Sequence, residues 1–312
     1  MISLEDFLRP SQKKLFKRLC KMFKGNTLVS KGNFILVRGE APILLVAHLD
    51  TVHEKRVRDI CLSPDKNIIM SPQGIGGDDR CGVFALCKTF LSAQVKPWLL
   101  FCCDEEIGGI GAHKFAHSHL QNLLPKELDL IKCIVEVDRR GSNDAVFYLC
   151  ANLDFEQYIT DKGFKTAQGS FSDISIIAPE LGIAAVNLSA GYHHAHTLHE
   201  FINRSELDNT VQKLLEIVDD SSHPDFAKFR YVKSAITFYS PKKIILQNDL
   251  PYSKKFFNNE QIPHSVPPEL QEIYDALLDF YSHNELETFR AEFGDHILWQ
   301  IYRDEIDPLY YR

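Results

Sequence analysis

Three acids in a row follow an apolar run in the segment FCCDEEIGG: Asp104, Glu105 and Glu106, with Gly108 and Gly109 behind them. Carboxylates this close repel one another, and burying one without compensation costs several kcal/mol. Similar donors follow the other apolar runs. LLVAHLDTV ends on His48 and Asp50, GIGGDDRCG carries Asp78 and Asp79, and IVEVDRRG carries Asp138. NLSAGYHHAHTLHEF brings His193, His194, His196 and His199. Imidazole nitrogens and carboxylate oxygens are the donor set of zinc, manganese or cobalt. Acids that repel when alone become favourable around divalent cations. The chemistry on offer is that of a metal centre.

Such a set needs elements that deliver it to one place. Residues 11–23 are predicted as a helix, with Leu15, Leu19 and Met22 on one face and Gly25 available to end it. NTLVS, NFILVRG and APILLVAH are short β-like runs; the last is apolar throughout, as in a strand covered on both faces. CLSPDKNIIMSP is predicted as a hairpin excursion and residues 80–92 as a helix. WLLFCC, IKCIVEV and IAAVNLSAG are predicted as further central strands, with helices at GAHKFAHSHLQNLL and DISIIAPELG. SELDNTVQKLLEIVDD is predicted as a helix with Ser205 as its N-cap and Asp208 in its first turn. The pattern loosens after Cys150 and recovers by Asp173. Strands alternating with helices predict an α/β fold: a three-layer αβα sandwich with a mostly parallel central sheet. In such sheets active groups collect where the strands end, which is where the donors above stand.

The remaining chain is read as two further pieces. Residues 224–265 are polar, irregular and interrupted by proline, as in an excursion or linker. Residues 266–312 predict a C-terminal helical hairpin. Its stripes are Leu270, Ile273, Leu277 and Tyr281, then Leu286, Phe289, Phe293 and Ile297. It carries no donor set and is expected to serve packing or a homo-oligomer.

Composition bounds the partners. At 45% apolar and 25% charged residues the 312-residue chain is ordinary for a globular protein, so no exotic class is needed. A net charge of -7 provides no basic face for nucleic acid. No run approaches the ~18 apolar residues of a membrane span. The N-terminal segment mixes acids and bases through its apolar positions, unlike a secretory signal. A cytoplasmic location is expected. Eight cysteines without a C-x-x-C pair read as reduced thiols rather than zinc ligands.

Taken in order, AHLDTV, GGDDRCG, FCCDEEIGG, VEVDRRG and HTLHEF resemble the co-catalytic di-zinc exopeptidase superfamily: zinc aminopeptidases, peptidase T-like enzymes and related deacylases. The resemblance covers roughly residues 25–215 and implies a zinc exopeptidase-like catalytic domain over residues 1–223. It implies two divalent metal ions, zinc first, with manganese or cobalt as substitutes. Carried over, His48 is the first metal ligand and Asp50 orients its imidazole. Asp78 bridges the two metals, Glu106 and His196 hold one, and Asp138 holds the other. His196 is selected by the match to H-T-x-x-E, with His194 as its competitor. Glu105 is the general base, acting on a water that bridges the metals. Glycine-rich relatives of GSFSDISII lie near substrate, so Ser172 and Asp173 are candidate substrate residues, although Asp173 is equally a helix cap. Arg139 and Arg140 are candidates for a substrate carboxylate, or else make structural ion pairs.

The implied activity is hydrolysis of an amide bond, an aminopeptidase reaction on a peptide. A deacylase of N-acyl amino acids or related small amides is the alternative, and a non-catalytic binding protein of the same fold a second one. Only 29 residues separate His48 from Asp78, and 57 separate Asp138 from His196. Neither interval has room for the second domain that many relatives insert there, so a compact form is expected. Asp79 is read as a cap, His53 as a loop residue, and His113, His117 and His119 as surface or packing residues of a helix.

Overall fold

Runs that are apolar from end to end become the middle of one sheet, because a strand covered on both faces has no polar side to alternate. The computed structural model describes residues 2–169 and 171–234, together with Tyr274, Leu277, Leu286, Arg290 and Leu298. The chain divides into two units, Met1–Phe238 and Tyr239–Arg312.

The first unit opens with helices α1 (Glu5–Leu8) and α2 (Gln12–Met22), then strands β1 (Thr27–Ser30), β2 (Phe34–Val37) and β3 (Ile43–His48). A short excursion, β4 (Cys61–Leu62) and β5 (Ile68–Met70), precedes helix α3 (Gly77–Ser92) and strand β6 (Trp98–Cys102). Helix α4 (Ile110–Leu120), strand β7 (Cys133–Arg139) and strand β8 (Asp144–Val146) follow. Where the sequence pattern loosens, the chain forms α5 (Leu153–Asp161) and β9 (Lys165–Ala167). The unit continues with α6 (Asp173–Leu181), β10 (Ala185–Ser189), β11 (Tyr192–His193), β12 (Phe201–Asn203) and α7 (Arg204–Asp220).

The large sheet has the order β1-β2-β6-β3-β7-β10-β8-β9. Its middle, β6-β3-β7-β10, is parallel throughout. The flanks turn antiparallel, β2 against β6 and β8 against β10. Ile43, Leu45 and Ala47 of β3 pack on the face covered by α2, α3, α5 and α7, while Leu44 and Val46 pack on the face covered by α4 and α6. This is the expected three-layer αβα sandwich. A second, antiparallel sheet of order β11-β12-β5-β4 contains the predicted hairpin, β4 with β5.

The helical geometry of α3 begins after Asp79, as the predicted helix over 80–92 has it, since Asp78 and Asp79 carry non-helical dihedrals. Two boundaries differ from the sequence reading. The cap of α7 is Asn203, whose side chain accepts from Glu206 N; Ser205 donates its hydroxyl to the same Asn203 oxygen. Asparagine's longer side chain reaches the first-turn amide from one residue before the helix. The chain past Pro224 also stays in the core for a few residues, because Phe226 and Phe229 are buried, each 5.0 Å from an aromatic ring of α5. The rest of the expected excursion and most of the C-terminal hairpin lie outside the described residues. Tyr274, Leu277, Leu286, Arg290 and Leu298 are helical and buried, with Arg290 over the Tyr274 ring at 5.9 Å. No helix among the described residues is long and apolar enough to cross a membrane.

Candidate metal centre

Parallel neighbours end at the same rim, and that rim collects the donors. His48 is the last residue of β3 and lies opposite Cys102, the last residue of β6. The turn leaving β6 therefore brings Glu105 and Glu106 beside His48. Asp138 arrives near the end of β7, on the other side of β3. Asp78 comes from the irregular start of α3, and His196 from the loop between β11 and β12.

Three donor groups result, and Asp78 belongs to two of them. Its Oδ1 lies 3.1 Å from His48 Nε2, and His48 Nε2 lies 3.5 Å from Asp138 Oδ1. Its Oδ2 lies 3.2 Å from His196 Nε2, which lies 3.3 Å from Glu106 Oε2. Glu105 Oε2 is 3.9 Å from His48 Nε2. His48, Asp78 and Asp138 form one group able to hold a cation, Asp78, Glu106 and His196 form another, and His48, Glu105 and Glu106 form a third. Glu106 Oε1 is buried without a hydrogen-bond partner, a free acceptor inside the second group. Hard oxygens with imidazoles at these spacings fit two divalent cations that share one carboxylate.

Other residues hold the donors in place. Asp50 Oδ1 lies 3.3 Å from His48 Nδ1, and the Asp50 carboxylate also accepts from the amides of Glu105 and Glu106 at 3.1 and 3.0 Å. One carboxylate thus orients the imidazole and pins the two glutamates. Asn187 on β10 brackets Asp138, accepting from its amide at 2.8 Å and donating to its carbonyl at 3.0 Å. Tyr192 donates its hydroxyl to Asp138 Oδ1 at 3.1 Å. Asp79 does cap α3, accepting from Gly82 N, and its other oxygen accepts from His48 N. Glu200, fully buried, accepts from Gly76 N and Asp78 N, each at 2.9 Å.

The charges are strongly perturbed. Burial pushes Glu105 up to about 9 and Asp138 up to about 7. Hydrogen bonds to Asp78 and Glu106 lift His196 to about 11. Burial alone would lower His48, but the charge of Asp138 and bonds to the surrounding acids raise it well above the usual imidazole value. Burial alone would raise Asp78, yet bonds from His196 and His48 hold it far below the usual carboxylate range.

The remaining candidates fall elsewhere. His194 packs its ring 5.7 Å from Phe201 and His193 bonds Glu206, so His196 alone of the three enters a cluster. Ser172 and Asp173 are both fully buried, with Ser172 bonded to Glu136, which leaves them no face toward open solvent. Arg139 faces Asp144 at 3.8 Å. Arg140 is exposed and makes no ion pair among the described residues. His113 and His117 are exposed on α4, and His119 faces Asp129. His53 is not a free loop residue: its Nε2 lies 2.8 Å from Glu200 Oε2, and its ring packs against Gly74, where a Cβ would lie 2.2 Å from Nδ1. Among the holders, Glu200 was signalled by the acid of HTLHEF; Asn187 and Tyr192 had no signal, being remote in sequence and ordinary in type. All eight cysteines are free thiols and none joins a cluster.

No protein-family profile matches the sequence, and no curated protein sequence does. Solved structures do match. A tripeptidase from Staphylococcus aureus aligns with a TM-score of 0.53 at 15% identity, covering 70% of this chain and 96% of the other. The aminopeptidase PepT from Bacillus cereus gives 0.52 at 15% identity, covering 71% and 99%. An aminopeptidase from the archaeon Desulfurococcus kamchatkensis gives 0.52 at 13% identity, covering 72% and 95%. Likeness at such identities is a likeness of fold: the zinc-exopeptidase-like α/β architecture.

Proposed function

We propose that this chain is a co-catalytic metallopeptidase, an aminopeptidase that removes the N-terminal residue of a peptide, with its chemistry within residues 1–223. One observation carries the reading. Asp78 presents one oxygen to His48 and Asp138 and the other to His196 and Glu106. The peptidases that share the fold point to the same reaction. His48, Asp138 and Asp78 would hold one divalent cation and His196, Glu106 and Asp78 the other, zinc first. When bound, the pair supplies a polarised scissile carbonyl and an attacking water of lowered pKa.

The protein's own groups do the rest. Glu105 stands beside His48; once bound cations lowered its raised pKa, it would take a proton from the attacking water and pass it to the leaving amine. The hydrogen bond its backbone N–H donates to Asp50 fixes the carboxylate's starting point relative to His48. The same Asp50 keeps the His48 Nδ1–H in place, so that Nε2 faces the cluster. Asn187 and Tyr192 hold Asp138 against its neighbours' repulsion.

The test is metal content followed by a substrate panel. Elemental analysis should give about two divalent ions per chain. Aminoacyl-anilides should turn over faster than N-acyl amino acids. Turnover of blocked substrates alone would replace the aminopeptidase by a deacylase, and absence of bound metal would leave only a scaffold.

A further inference from the structure

A cavity of about 430 Å³ lies next to the centre, lined among others by Asp50, by Gln12 of the N-terminal segment and by Arg80. Arg80 is only 5% exposed. Both of its hydrogen bonds leave from Nη1, to Phe7 O at 2.8 Å and Pro10 O at 2.9 Å. Its Nε is buried without a partner, and Nη2 makes no hydrogen bond among the described residues. No carboxylate stands within ion-pair distance of it among the described residues. A guanidinium keeps its charge at neutral pH. A role in tying down the N-terminal segment accounts for Nη1 alone. It leaves idle the Nε–Nη2 edge, which is the edge that grips an oxyanion side-on through two parallel bonds.

The nearby acids are already engaged. Asp50 serves His48 and the amides of Glu105 and Glu106, and Asp79 serves His48 N and Gly82 N. Two more cations line the cavity, Lys55 and Arg56, both exposed and without ion pairs among the described residues. Against these three cations stand Asp50 and the exposed Glu54. His53 is occupied by Glu200. A buried charge with idle donors is costly unless something completes it.

We propose that this cavity binds a small oxyanion, a carboxylate or phosphate group, held through the idle Nη2 of Arg80 and attracted by Lys55 and Arg56. The anion has two sources, a free small molecule or the C-terminal carboxylate of a short peptide substrate.

Binding is measured without turnover, by calorimetric titration of inorganic phosphate into the metal-loaded full-length protein. Saturable binding is expected, weakened at least ~10-fold both in Arg80→Lys and in the surface double variant Lys55→Glu/Arg56→Glu. It should survive His196→Ala. Binding lost in His196→Ala yet kept in Arg80→Lys belongs to the metal centre and overturns the proposal. So does no saturable binding up to about 10 mM phosphate, the result if water alone meets Arg80. Should Arg80→Lys fail to fold, the exposed double variant decides. Dipeptides against their C-terminal amides then identify the source. A KM preference of ~10-fold for the free acid, erased in the double variant, assigns the site to substrate. Equal KM values with phosphate binding intact assign it to a free anion.

Discussion

Asp78 serves two imidazoles at once, and each of its oxygens has a separate neighbourhood. Glu105 and Glu106 are adjacent in sequence yet differ in role for a similarly local reason. Glu106 faces His196, with one oxygen left free, whereas Glu105 stands by His48 without entering either bridging pair. Glu105→Ala should therefore keep about two metal ions per chain and lose at least ~100-fold in kcat. Ordinary turnover in that variant would remove Glu105 from the mechanism. His196→Ala should behave differently. Losing a ligand of one cluster should drop the metal content to about one ion per chain, while Asp138 and His48 keep theirs. Elemental analysis of the two variants side by side separates a base from a ligand.

The turn after β6 is the element on which the site turns. Asp104 has φ +59°, a left-handed conformation that an L-residue adopts only when held. The holder is Gln12, at the start of α2. Its Nε2 donates to Asp104 Oδ1 at 2.7 Å and its Oε1 accepts from Asp104 N at 3.3 Å. Asp50 pins the next two amides. Gln12→Ala should lower kcat by about tenfold or more with folding intact, since a displacement near 1 Å can cost ~100-fold. Gln12→Glu should be worse, as it opposes a second carboxylate to Asp104. A kcat equal to wild type in both would detach α2 from the site. Packing of α3 on β7 is equally tight. A Cβ at Gly82 would lie 2.1 Å from Val137 O, a backbone atom that cannot yield. Gly82→Ala should destabilise by on the order of 3 kcal/mol, read by urea unfolding.

At the scale of the whole molecule the site is a reservoir of protons. The carboxyl of Glu105 moves from 4.5 to about 9, that of Asp138 from 3.8 to about 7, and His196 from 6.5 to about 11. In each case the folded protein holds the proton more tightly than the unfolded chain. Stability from these groups is present below the unfolded values and is lost as pH rises through the folded ones. Asp78 acts in the opposite sense, but only as pH falls below its ordinary 3.8. The metal-free protein should thus lose thermal stability between about pH 5 and pH 9. Added zinc takes the place of those protons, so the Tm increment it produces should grow across the same interval. A metal-free Tm that climbs over that range would contradict the burial of these acids.

Much of this was legible in one dimension. Apolar runs named the central strands because a doubly covered strand has no polar face to alternate. Donors stood directly after those runs because parallel strands end at a common rim. That rule offered a wider harvest of acids and histidines, and the resemblance to the di-zinc exopeptidases singled out His48, Asp78, Glu106, Asp138 and His196 from it. Periodicity was silent on α5 and β9, where short elements carry mixed residues. The choice of His196 over His194 came from a motif and acquires geometry only through the loop between β11 and β12. Tertiary structure alone decided which atoms share Asp78, that Asn187, Tyr192 and Gln12 hold the acids, that Ser172 and Asp173 lie buried, and that Arg80 keeps an idle edge. Residue type and spacing determine what an element can offer, but contacts between residues as far apart as Gln12 and Asp104 exist only once the layers pack.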